Sequence, residues 1–218
     1  MGQLNLESED KIMDKIKNII FDMGNVLLRY DPWVSLHHFC KTQEEKEIIY
    51  RELFQGPEWV MADEGLITNG QRYDFVKNRV PKEMHHLLKL IVENWDMCME
   101  EVPGAKEFVI RKREEGYGCF VLSNACNRFY HYFPRFYDLN LFHGVVVSSD
   151  VKMIKPNPMI YQYVTYTYGL KPDECLFIDD LKENVEAAVG VGMKGFLFQD
   201  NYQLLKKTLT HTPLGYML

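Results

Sequence analysis

The 218 residues carry a formal net charge of −6, with 46% hydrophobic and 13% aromatic residues, which fits one globular domain with room for an insertion. The acidic balance excludes the basic stripe of a nucleic-acid binder, and no apolar run approaches the roughly 18 residues of a membrane helix. The five cysteines (Cys40, Cys98, Cys119, Cys126 and Cys175) are odd in number and form no CxxC pair, so a reducing cytoplasm is expected rather than a disulfide scaffold.

The stretch 1–15, MGQLNLESEDKIMDK, is polar and acidic, without the apolar core of a signal peptide, and is expected to form a short helix or to fray. The run 16–21, IKNIIF, is apolar, β-branched and ends in a small-residue turn, which reads as a buried strand. Four similar runs follow at 118–122, 144–147, 175–178 and 195–198, with helix-period stretches such as 156–168 and 182–191 between them. Continuous apolar strands alternating with helices imply an α/β fold with a doubly wound, Rossmann-like parallel sheet covered on both faces. The first two strands lie far apart, and the chain between them reads as helical at 33–42, 44–54, 69–80 and 82–99, with no convincing strand. Asp31-Pro32 opens it as an N-cap followed by proline. The expected division is therefore a core of 1–29 and 102–218 with an all-helical cap domain at 30–101; the tail 208–218 is left without a role.

In open parallel sheets functional groups collect past the carboxyl ends of the strands. Those positions hold Asp22-Met23-Gly24-Asn25, Ser123-Asn124, a loop with Asp150, Lys152, Lys155 and Pro156, and Asp179-Asp180. Three converging carboxylates repel one another unless a cation intervenes, and an all-oxygen donor set suits Mg2+. The Ser123 hydroxyl, the Lys155 ammonium and the backbone N–H groups of Met23-Gly24 could hold a phosphate opposite the metal. An aspartate so placed can attack phosphorus and form an aspartyl phosphate that water then hydrolyses.

In order, IIFDMGNVL, VLSN, IKPNPMIY and FIDDLKENVEAA resemble the four signature motifs of the haloacid dehalogenase-like superfamily, and the insertion resembles its type-1 helical cap. The branch that looks most similar is the sugar-phosphate phosphatases acting on α-glucose 1-phosphate; phosphatase-like domains of epoxide hydrolases are also similar. The resemblance implies a magnesium-dependent hydrolysis of a small phosphorylated metabolite. It makes Asp22 the nucleophile and a metal ligand, and gives Gly24 a backbone carbonyl on the metal. It further places Ser123, Asn124 and the backbone of Met23 and Gly24 on the phosphate, and makes Lys155 the neutralising cation. Asp180 would ligate the metal directly, with Asp179 beside it. Lys152 is the competing lysine.

One departure matters. Most phosphatases of the superfamily carry a second aspartate two residues after the nucleophile, which protonates the leaving oxygen and activates water; here the position is Gly24. A less basic leaving oxygen, such as that of a sugar 1-phosphate, would reduce the need for it. A group from the cap or from the Asn25 turn could replace it. A catalytically weak binding or regulatory protein is the third reading. Dehalogenase and phosphomutase chemistry fit less well, the first because the Asp179-Asp180 pair repels a haloacid, the second because of Gly24. In the cap, Trp59, Asp63 and Glu64 are candidates to touch substrate. The adjacent pairs His37-His38 and His85-His86 point to different sides of a helix and make no metal pair. Cys126 reads as a small buried residue near the site.

Overall fold

The computed structural model describes residues 16–200, 202, 203 and 205; the stretch 1–15 and the tail 208–218 lie outside them. Strand β1 (Asn18–Phe21) leads through a turn into β2 (Leu28–Tyr30). Five helices follow: α1 (Pro32–Phe39), α2 (Gln43–Ile49), α3 (Pro57–Asp63), α4 (Asn69–Val76) and α5 (His85–Asn94). Strand β3 (Met99–Glu101) brings the chain back to α6 (Ala105–Glu114), β4 (Gly118–Ser123) and α7 (Phe129–Tyr132). The remainder is β5 (Gly144–Val147), α8 (Ser148–Val151), α9 (Pro158–Tyr168), β6 (Cys175–Asp179), α10 (Lys182–Gly190) and β7 (Lys194–Leu197).

The five core strands form one parallel sheet in the order β5-β4-β1-β6-β7, a Rossmann-like doubly wound arrangement. Strand alternation sorts its apolar side chains onto two faces. Ile19, Phe21, Cys119, Val121, Leu176 and Ile178 join one core cluster, and Ile20, Phe120, Leu122, Cys175 and Phe177 join the other. Both faces are covered, so these strands read as unbroken apolar runs rather than alternating ones. The chain leaves β1 toward β4 and β5, then returns past β1 to β6 and β7. That reversal opens a crevice at the carboxyl end of β1, where ligands of such sheets bind.

Local signals set the ends of the inserted helices. Asp31 caps α1, its carboxylate accepting from Trp33 N at 2.9 Å, with Pro32 in the first turn. Thr42 with Glu45, and Thr68 with Gln71, form reciprocal capping boxes on α2 and α4.

Four expectations need correction. The segment at 30–101 is not free of strand: β3 pairs antiparallel with β2, Tyr30 facing Met99 and Leu28 facing Glu101. The chain enters and leaves the insertion at the same place, so its two neck segments lie side by side and satisfy each other's backbone groups. Strands of three residues are too short to show a period. Helix α3 was not expected, although Gly56-Pro57 marks its start. The helix expected at 82–99 ends at Asn94 and tightens into a 3-10 turn at Trp95–Cys98. Helix α9 starts at Pro158, because Asn157 caps it by accepting from Met159 N at 3.0 Å; the Lys155–Pro156 peptide before it is cis.

Candidate active site

Three strand ends meet at the crevice. Asp22 follows β1, Ser123 ends β4, and Asp179 ends β6 with Asp180 next. One carboxylate oxygen from each of Asp22, Asp179 and Asp180 lies within 4.8 Å of the others. The Lys155 ammonium, arriving on the loop before α9, sits 2.7 Å from Asp22 Oδ1 and 2.7 Å from Asp179 Oδ2. Lys155 is anchored by its own backbone: its N–H donates to Asn124 Oδ1 at 2.8 Å, and its carbonyl accepts from Asn124 Nδ2 at 2.9 Å. The Asn124 side chain is thus committed to positioning the lysine, where the sequence pattern assigned it to phosphate.

Asp179 is fully buried and heavily donated to, by Lys155, by Leu181 N at 2.8 Å and by Asn184 Nδ2 at 3.1 Å to both oxygens. Asp180 instead faces the crevice and accepts from Asn25 Nδ2 at 3.0 Å. The pair therefore divides its work: Asp179 orients the lysine and the turn into α10, and Asp180 presents free lone pairs. Asn25 reaches Asp180 from a left-handed backbone conformation, φ 53°, which asparagine tolerates. Met23 N donates to Asp22 Oδ1 at 2.7 Å. Ser123 Oγ is fully buried and has no hydrogen-bond partner.

The electrostatics ask for more positive charge. Burial pushes the Asp22 carboxyl up from 3.8 to about 7, with Lys155 opposing and Asp179 and Asp180 adding to the rise. Burial also raises Asp180. Burial pulls Lys155 down, but its two carboxylate neighbours more than offset this, so it stays charged. Three carboxylates against one ammonium leave two uncompensated negative charges, which a divalent cation would neutralise. All the charged donors are hard oxygens, so the site fits magnesium.

Above the carboxylates lies a cavity of about 210 Å³. Its floor is Asp22, Met23, Gly24, Asn124, Lys155 and Asp180, and its far wall is Tyr30, Trp59, Trp95, Met99 and Tyr132. Ring contacts run continuously along that wall: Tyr30 to Trp59 at 5.7 Å, Trp59 to Trp95 at 5.0 Å, Trp95 to Tyr132 at 5.6 Å. Trp59 and Asp63, both named from sequence, line the cavity, whereas Glu64 does not. Tyr30, Trp95, Met99 and Tyr132 were missed, because they come from separate segments that only the fold brings together.

The other candidates go elsewhere. Lys152 Nζ donates to the Gly65 carbonyl and so ties the insertion to the core. Gly65 has φ +67°, and a Cβ there would meet Ser149 O at 2.2 Å, so only glycine allows this approach. Asp150 accepts from the Tyr130 hydroxyl. His37 and His85 bond backbone carbonyls of Trp33 and Val80. Cys126 lines the cavity, but burial raises its thiol pKa, which argues against a thiolate nucleophile. Gly24 has room: a Cβ there would meet nothing nearer than Asp22 Oδ2, at 3.9 Å.

The fold is a doubly wound α/β sheet with a buried, lysine-paired aspartate at its switch point. A sequence profile of the haloacid dehalogenase-like hydrolases matches residues 19–198, and the chain belongs to that family. It is 25% identical to a sesquiterpene phosphatase of Aspergillus oryzae over 186 residues, covering 85% of this chain and 91% of that one. It is 38% identical to rat bifunctional epoxide hydrolase 2 over 66 residues, which is 30% of this chain and only 12% of that protein. A magnesium complex of a haloacid dehalogenase family enzyme from Bacteroides thetaiotaomicron superposes with a TM-score of 0.67 at 25% identity, covering 88% of this chain and 100% of the other. Among the described residues no helix is long and apolar enough to cross a membrane.

Proposed function

We propose that the protein is a magnesium-dependent phosphomonoester hydrolase that acts on a small phosphorylated metabolite through an aspartyl phosphate on Asp22. The observation that carries this reading is the convergence of Asp22, Asp179, Asp180 and Lys155 at the floor of one small cavity. Magnesium, held by Asp22, Asp180 and the Gly24 carbonyl with Asp179 in support, would draw charge from the phosphoryl oxygens and keep Asp22 ionised. Asp22 is aimed by the Met23 N–H and Lys155, and its free carboxylate oxygen attacks phosphorus. Lys155 offsets charge on the phosphoryl group. The orphaned Ser123 hydroxyl and the Gly24 N–H supply donors to its oxygens. The helical segment 30–101 serves as a cap domain that excludes water and bulky esters.

The substrate class proposed is a sugar phosphate, in particular a sugar 1-phosphate, whose C–H face would lie against Trp59 and Trp95. A second reading follows from the aromatic wall and from the likeness to a sesquiterpene phosphatase: an apolar phosphomonoester such as a short prenyl phosphate. Phosphate release from both classes, with magnesium present or chelated, tests these readings. Release that requires magnesium and is lost in Asp22→Asn is the expected result. Metal-independent release, or none, would remove the proposal.

A further inference from the structure

We infer that Asp63, delivered by the insertion, is the general acid and base of the reaction and replaces the carboxylate that Gly24 lacks. The inference rests on the phosphatase reading and adds a catalytic residue to it.

Asp63 lines the same small cavity as Asp22, Lys155 and Asp180, and it comes from the end of α3 in the inserted segment rather than from the sheet. A phosphomonoester seated with phosphorus on Asp22 directs its leaving oxygen away from the floor, toward the insertion. A general acid needs to stand on that side, within hydrogen-bond reach of the oxygen. The position of Asp63 is fixed by the core as well as by α3. Its backbone carbonyl accepts from Ser148 Oγ at 2.5 Å, and that hydroxyl in turn accepts from Ala125 N at 2.9 Å. Two residues on, Lys152 holds the Gly65 carbonyl. Asp63 is therefore clamped to the ends of β4 and β5, so its carboxyl has a defined place relative to Asp22.

The surroundings suit the task. Burial raises the Asp63 carboxyl from 3.8 to about 7, against the pull of Arg72 and of a hydrogen bond from the Cys126 backbone. The titratable and charged groups facing it are Arg72 from α4, Cys126 after β4, Tyr30 from β2 and Tyr132 from α7. Arg72 is fully buried; its guanidinium lies 4.1 Å from the Trp59 ring centroid, and its Nε and Nη2 have no partner. This cation favours the ionised form that the second half of the reaction requires.

The steps balance. Asp22 attacks phosphorus as the bond to the leaving oxygen breaks, and the Asp63 carboxylic acid gives that oxygen its proton, so a neutral alcohol departs. The Asp63 carboxylate then takes a proton from water as the water oxygen attacks the aspartyl phosphate. The Asp22 carboxylate and orthophosphate are released, and Asp63 is again an acid.

The test compares kcat/KM for p-nitrophenyl phosphate, whose leaving group needs no proton, with that for an alkyl phosphate such as glucose 6-phosphate, in magnesium. For Asp63→Asn, the alkyl ester should lose about 10²–10⁴-fold while the nitrophenyl ester changes by less than about threefold. A burst of one nitrophenol per site should appear, because hydrolysis of the aspartyl phosphate has lost its base. In the wild-type chain, kcat/KM for the alkyl ester should fall as pH rises above neutrality, and that for the nitrophenyl ester should not. The Gly24→Asp/Asp63→Asn double variant should recover the alkyl ester. Equal losses on both esters, or a flat wild-type alkyl profile, would overturn the role of Asp63 and leave the phosphatase reading standing. A wild-type chain silent toward both esters would overturn both.

Discussion

The two walls of the cavity are built on opposite principles. The floor is polar, supplied by strand ends of one sheet and the Lys155 loop, with Asp179 accepting from Lys155, Leu181 N and Asn184 and the Lys155 ammonium paired to Asp22 and Asp179. The far wall is aromatic and comes from neck strand, inserted helices and α7, its members touching ring to ring. The floor holds groups whose charges must balance, so its geometry is fixed by electrostatics and the removal of one member leaves another unpaired. The wall holds groups whose contacts are dispersive and tolerant, so substrate range is set there. The charged floor and the aromatic wall thus come from separate parts of the chain, and they meet only in the folded molecule.

That contrast can be broken experimentally, starting with the floor. Asp22→Asn should abolish phosphate release, by on the order of 10⁴-fold or more in kcat, while melting close to wild type; steady-state kinetics with a thermal melt checks this. Lys155→Met should be the most destabilising single change at the floor. It leaves Asp22 and Asp179 buried without their shared cation, at about 3–5 kcal/mol in urea denaturation, and magnesium should restore part of the loss. Magnesium itself should stabilise the wild-type chain, by about 2.7 kcal/mol at a hundredfold excess over Kd, and Asp180→Asn should remove most of that gain.

The aromatic members of the wall should respond more mildly. Trp59→Ala should raise KM by about tenfold with kcat little changed, since the ring supplies contact area and no reacting group. A pH effect is also expected there. The folded Asp63 carboxyl keeps its proton up to about 7, while the unfolded chain loses it near 3.8. Its contribution to stability is therefore complete below the lower value and is lost as pH rises through the upper one. Urea midpoints measured in chelator across that interval should fall with pH, and Asp63→Asn should flatten the slope.

The sequence by itself determined the sheet and the floor. Apolar runs bounded by turns mark all five parallel strands, and the residues just past them include Asp22, Asp179, Asp180 and Lys155, because strand period and strand-end placement are local properties. It also marked most of the helices between β1 and β4, through caps such as Asp31-Pro32. The pairing of β2 with β3 was decided by the tertiary structure, since three-residue strands carry no period and pair only where the neck brings them together. So was the commitment of the Asn124 amide to the Lys155 backbone, a contact 31 residues apart in sequence. The aromatic wall is the clearest case: Tyr30, Trp59, Trp95 and Tyr132 are spread over separate segments, and each alone reads as ordinary core. Burial decided the rest, because a carboxyl such as Asp63 acquires its proton affinity from the neighbours and the solvent exclusion that only the folded chain provides.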